Sequence, residues 1–217
     1  LDIQKAFTKE HLLFLLDGLW VTLEVAIIAI VASFLFGSIL GIIRYTRIPV
    51  ISQLVGIYID TLRNLPLLLI IFMGYFGLKE LNIDLPITTS VILSMTIFTS
   101  ALVAEIVRSG LNSVQPGLIE AARSQGFNAV QTLWYVILPL GLKRTIPPMV
   151  SQFVTVIKDT SLAVAISLPE LTHNAQIIYN KEFNATIPIL LLVAMIYFTI
   201  NYFLSLVSRY LERRLVG

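Results

Sequence analysis

Residues 120–139 read EAARSQGFNAVQTLWYVILP, a polar interruption in an otherwise apolar chain, and the fold is read outward from them. Pro116 opens a helix because its missing N–H falls where a helix start needs none, and Gly126 closes it by taking the left-handed cap at little cost. A short helix from Pro116 to Gln125 is expected. Ala121 and Ala122 keep its surface flat enough for close approach, while Glu120, Arg123 and Gln125 supply charge and hydrogen bonds at the edges. Asn128, three residues before Gln131, has the spacing of a helix cap, so a second short helix is expected to run through Trp134 to a stop at Leu138-Pro139. The reading is a helix–turn–helix outside a bilayer, shaped to be gripped.

The rest of the chain supplies the bilayer. Of 217 residues, 57% are hydrophobic and 13% charged, about half the charged share of a soluble domain. That composition defines an integral membrane protein, and apolar runs of about 20 residues or more make the expected class all-α. A net charge of +2 gives no support to nucleic-acid binding. Cysteine is absent, which removes disulfides and thiolate chemistry, and the two histidines, His11 and His173, stand far apart, so no metal site is expected. The first apolar run is too long for a cleavable signal peptide and continues into a full span.

Five spans are expected in one transmembrane domain covering residues 1–217: Leu12–Ile43, Pro49–Leu78, Leu85–Leu111, Pro147–Leu168 and Ala185–Val207. Pro66 frees the carbonyl of Leu62 and is expected to kink the second span. Residues 169–183 read as an external segment with an interfacial helix. Arg44, Arg47, Arg123, Lys143, Arg144, Arg209, Arg213 and Arg214 all fall on one side of this arrangement. The other side has Lys79 and Lys181 in its loops, with Lys5 and Lys9 in a mixed-charge tail. The excess of basic residues places the helix–turn–helix in the cytoplasm, the N-terminus outside and the C-terminus inside.

Ionisable groups inside a bilayer are costly, so each is a functional candidate with a partner to be named. Asp60 and Arg63 are three apart on one helix, as are Glu105 and Arg108, and each pair is expected to neutralise itself locally. Lys158-Asp159-Thr160-Ser161 lies near the middle of the fourth span. Three of these four residues are good helix caps, so a break there would expose backbone to a small polar solute; a plain structural cap with Lys158 snorkelling is the alternative. Glu24 has no basic residue three or four positions away. It must find a partner on another helix, stay protonated or face a wet cavity, unless it lies at the outer interface. With Glu105 and Asp159 it favours a cationic solute. No G-x-x-x-x-G-K-[ST] loop or H-E-x-x-H is present, and neither histidine suits Ser-His-Asp catalysis.

Glu120-Ala121-Ala122, Gly126 and Leu138-Pro139 resemble the signature of the membrane subunits of type I ATP-binding-cassette importers: E-A-A, three residues, G, nine residues, I-x-L-P. Val136 stands in the Ile position. Gly18–Leu23, Leu62–Leu68, Ala104–Gly110 and Lys158–Leu162 extend the resemblance to the polar amino acid permeases, over nearly the whole chain. Leu65 and Ile70 depart from the Thr and Gln common in that group, and Glu24 stands where many members have an uncharged residue.

The resemblance implies a permease subunit in the bacterial cytoplasmic (inner) membrane, not an enzyme. Pro116, Glu120, Ala121, Ala122, Arg123, Gly126, Leu138 and Pro139 would form the coupling element that an ATPase subunit grips. ATP and Mg would be bound by that ATPase, with no cofactor in this chain. A second permease subunit, another copy or a similar chain, would complete the path, and an extracytoplasmic amino-acid-binding protein would deliver the cargo. Candidate path residues are Glu24, Asp60, Arg63, Asn64, Leu67, Thr99, Glu105, Lys158, Asp159, Thr160 and Ser161. The expected cargo is a polar, basic amino acid, on the strength of Glu24. Glutamine or another polar amino acid is the alternative within the group, and an ion-coupled secondary transporter the alternative of another class.

Overall fold

The computed structural model describes residues 7–215, and these are helical with no strand among them. Lys5 lies outside the described residues. Helix α1 runs over Lys9–Thr46; at 1.5 Å per residue its 38 residues reach about 57 Å, well beyond a hydrocarbon core of roughly 30 Å. Next come α2 (Ile51–Arg63) and α3 (Leu67–Glu80), the latter widened into a π turn over Met73–Gly77. Helix α4 is Ile87–Asn112 and α5 is Pro116–Ser124. The long α6 spans Ala129–Ile166, α7 is Leu171–Lys181, and α8 is Thr186–Leu215. Four helices, α1, α4, α6 and α8, are long and apolar enough to cross a membrane, and α2 with α3 would make a fifth if that bent pair is one span.

Three expectations about these helices are corrected. Leu138-Pro139 does not stop the second short helix, and Pro147-Pro148 do not begin a new one: all three prolines lie within α6. A proline removes one intrahelical bond and crowds the carbonyl four residues back. A π turn over Leu133–Ile137 stands directly before Pro139 and absorbs that mismatch, as local π adjustments do in membrane helices. Nor does α6 break at Lys158–Ser161. From Thr160 to Ile166 it tightens to a 3₁₀ helix and ends at Ser167 in the left-handed conformation. The Thr160 and Ser161 hydroxyls donate back to the carbonyls of Ile157 and Lys158 at 2.7 Å each, so they cap no new helix. A break does fall at Asn64-Leu65-Pro66, at the proline expected to kink the second span. There the Asn64 N–H returns to the Thr61 carbonyl and the Leu65 N–H to that of Leu62, both at 3.2 Å, and Pro66 is extended at φ −65° and ψ 134°.

The chain forms two compact units. One takes the described residues up to Val31, Pro66–Thr96 and Phe153–Leu204. Its apolar core joins Leu15 of α1 to Leu171, Ala175 and Ile178 of α7 and to Ile189 and Val193 of α8. Helix α7, the expected interfacial helix, is therefore docked. Asn174 Nδ2 donates to the Phe14 carbonyl at 2.7 Å, the Leu171 N–H donates to Thr22 Oγ1 at 3.2 Å, and a Cβ on Gly18 would lie 2.9 Å from Asn174. The other unit takes Ala32–Leu65, Ile97–Gln152 and the described residues from Ser205 on. Here α1 and α4 meet backbone to backbone: a Cβ on Gly37 would lie 2.7 Å from the Ser100 carbonyl, and one on Gly41 2.6 Å from that of Ala104. Gly37 and Gly41 form a G-x-x-x-G step, the spacing that lets membrane helices pack without a hydrophobic driving force.

Candidate functional site

Helix α5 is built as the sequence dictates. Pro116 is its first residue. At its end the Gly126 N–H bonds Arg123 O at 3.0 Å and the Phe127 N–H bonds Ala122 O at 3.1 Å, the paired bonds of a Schellman cap, with Gly126 at φ +90°. Asn128 Oδ1 accepts from the Gln131 N–H while Gln131 Oε1 accepts from that of Asn128, both at 2.9 Å. This reciprocal box starts α6. Pro116, Glu120, Ala121, Arg123, Gly126 and Pro139 are exposed, whereas Ala122 and Leu138 are buried and hold the element to the helices behind it. Trp134 and Tyr135, 63% and 70% exposed, stand on the same segment. The result is a small-residue helix, rigidly capped at its C-terminal end, beside exposed aromatic groups: a surface a partner protein can seat on and push.

A second polar group lies on α2 and α4. Glu105 accepts from Arg108 Nη2 at 2.5 Å and Nε at 3.0 Å, as the i, i+3 spacing predicts, and it also faces Arg63 Nη1 at 3.7 Å. The expected Asp60–Arg63 pair is thus corrected: Arg63 turns to another helix. Asp60, Thr61 and Asn64 remain exposed on α2, with the Asn64 amide donating to the Asp60 carbonyl at 2.7 Å. Lipid does not satisfy such groups, so this face suits a wet path or a protein neighbour. Thr61 extends it and is not singled out in the sequence as a path residue. Thr99, 1% exposed, is packed inside.

In the other unit Lys158 is exposed, Asp159 and Ser161 are half-buried, and Thr160 and Leu67 are buried. Glu24 is exposed on a side of α1 that also carries Trp20, Ile27 and Ile28. No motif in the sequence marks Glu170. It is fully buried and caps α7, accepting from the N–H groups of Thr172 at 2.8 Å and His173 at 2.7 Å and from the Tyr197 hydroxyl at 3.1 Å. Burial pushes its carboxyl above the usual range, and the three donors pull back against that. Glutamate is a rare cap, so no cap signature marked it. No cluster of metal-ligating side chains occurs among the described residues.

These features define a multi-pass membrane subunit with one exposed, rigidly capped element and polar side chains on α2 and α4. Residues 33–217 match the family described as binding-protein-dependent transport system inner membrane component, and the chain belongs to that family of transport permeases. It is similar, at 53% identity over 99% of both chains, to the probable glutamine ABC transporter permease protein GlnP of Bacillus subtilis (strain 168). At 34% identity over 93% of this chain and 92% of the other, it resembles the glutamine transport system permease protein GlnP of Escherichia coli (strain K12). A solved structure of an amino acid ABC transporter with histidines superimposes with a TM-score of 0.90 at 30% identity, covering 95% of this chain and 96% of that one. As a permease the chain is no enzyme, and it resides in the inner membrane.

Proposed function

We propose that this chain is the translocating subunit of an ATP-driven amino acid importer, that its cargo is glutamine, and that α5 faces the cytoplasm as the lever moved by an ATPase partner. The observation that carries the cargo is the 53% identity, end to end, with a probable glutamine permease. Glutamine replaces the basic cargo expected from Glu24. A neutral side chain needs hydrogen-bond donors and acceptors rather than a countercharge, and Asp60, Thr61 and Asn64 offer both on one exposed side of α2. Glu105 and Asp159, which also suggested a cation, carry less weight, because Glu105 is already shared by Arg63 and Arg108. Leu67 and Thr99 act as packing residues in this reading. Two permease subunits enclose the path, ATP and Mg act in the ATPase, and an extracytoplasmic binding protein delivers the cargo.

The test is competition for labelled glutamine in proteoliposomes holding the complete complex, with the binding protein outside. Unlabelled glutamine should abolish uptake, and excess arginine, lysine or histidine should leave it in place. Suppression by the basic amino acids, with direct uptake of labelled histidine, would return the cargo to the basic class, the reading favoured by the structural similarity to a transporter crystallised with histidines.

A further inference from the structure

Arginines gather where α1 ends, and the path and coupling readings leave them unexplained. A cavity of 310 Å³ is lined by Arg44, Arg47 and Arg108, with Ser52 and Gln53 of α2 and the Ile48-Pro49 turn; no carboxylate lines it among the described residues. Arg44 is built into place. Its Nη1 donates to the Ser52 carbonyl at 3.2 Å, and Ser52, 4% exposed, donates its hydroxyl to the Arg44 carbonyl at 3.3 Å. Its guanidinium lies against Gly56, where a Cβ would approach the guanidinium carbon to 2.8 Å.

The local charge does not close. Four guanidiniums, Arg44, Arg47, Arg63 and Arg108, face two carboxylates, Glu105 and Asp60, and Glu105 is already engaged by Arg63 and Arg108. Two positive charges are left over, both on the side of Arg44 and Arg47. Next to the cavity, α2 leaves Ile51 and Leu54 at 50% and 62% exposed. A cationic cavity adjoining an exposed apolar rail fits a ligand with an anionic head and a hydrocarbon tail.

We propose that the Arg44–Arg47–Arg108 cavity binds the phosphate of an anionic glycerophospholipid, whose acyl chain lies along Ile51 and Leu54. Guanidinium forks match phosphate oxygens in pairs, which suits arginine over lysine here. A zwitterionic head group would bring its own cation into a site that already has an excess of them. Free phosphate would satisfy the cavity and leave the rail uncovered.

The complete permease–ATPase complex, equilibrated in detergent with equal amounts of a phosphatidylglycerol and a phosphatidylcholine, is read by native mass spectrometry. Phosphatidylglycerol should be retained preferentially. Arg47→Gln should reduce that retention about fivefold, the value of one interfacial arginine. Gly56→Ala, whose methyl group displaces the Arg44 guanidinium, should act in the same direction, and Lys143→Gln should not. Equal retention of the two lipids, or full retention by Arg47→Gln and Gly56→Ala, would overturn the site. Displacement of phosphatidylglycerol by inorganic phosphate would assign the cavity to a free anion and overturn the lipid. The chain has no cysteine, so Leu54→Cys tests the remaining occupant: a disulfide between two copies in native membranes would place protein, not lipid, on the rail.

Discussion

Replacing Gly126 by alanine isolates the backbone term at the end of α5. Gly126 sits at φ +90°, and a Cβ built there meets nothing within 4 Å, so a side chain is penalised for conformation and not for space. A left-handed L-residue costs roughly 1–2 kcal/mol. Helix α5 has nine residues and one buried side chain, Ala122, so little tertiary packing offsets that cost, and a helix this short is marginal alone. The ratio of formed to unformed α5 should fall by about 5- to 30-fold. On the proposed coupling role the ATPase binds only the formed helix, so its affinity should fall by up to the same factor. Asparagine tolerates this conformation better than alanine, and β-branched valine is worst, giving the order Gly, Asn, Ala, Val. Titrating labelled ATPase onto solubilised permease measures each Kd, while thermal unfolding of the permease should hardly change, since α5 contributes little to either core. An unchanged Kd for Gly126→Ala, or Asn as damaging as Val, would refute the reasoning.

Glu105→Gln strands Arg63 and Arg108 without their shared countercharge; with all three side chains a quarter to two-fifths exposed, the loss should be about 1–2 kcal/mol, between a surface pair and a buried one. Adding Arg63→Gln should recover part of it in a double-mutant cycle of unfolding midpoints, and strict additivity would remove the pairing. Glu170 makes stability pH-dependent. Its folded carboxyl titrates above the usual range, so the fold favours the protonated form; that stabilisation is complete below the usual range and is lost as pH rises through the folded value. Unfolding midpoints of Glu170→Gln should lack this decline, and parallel pH profiles for the two proteins would contradict it.

What the sequence disclosed and what it hid divide along local and tertiary causes. Pro116, Gly126 and the Asn128/Gln131 pair are local signals, each acting within one turn, and α5 and its caps stand where those signals put them. The prolines of α6 are equally strong local signals that tertiary context overrode. A π turn before Pro139 and a membrane helix around Pro147 and Pro148 keep the chain helical, and no residue pattern announces a π turn. The same limit applies at Lys158–Ser161, where cap-forming residues sit in a helix that tightens instead of breaking. Arg63 was assigned to Asp60 because spacing along one helix is all a sequence offers; its contact with Glu105 belongs to the packing of α2 on α4. Glu170 was hidden because a glutamate cap resembles any loop carboxylate.

The central claim is that ATP hydrolysis in a partner drives an amino acid through this chain, and labelled glutamine uptake tests it most directly. Proteoliposomes containing permease and ATPase, with the binding protein outside, are compared with ATP or a non-hydrolysable analogue inside, and with the proton gradient intact or collapsed. The account predicts uptake that requires hydrolysable ATP and persists when the gradient is removed. Uptake without ATP that vanishes with the gradient would contradict it and make the chain an ion-coupled transporter.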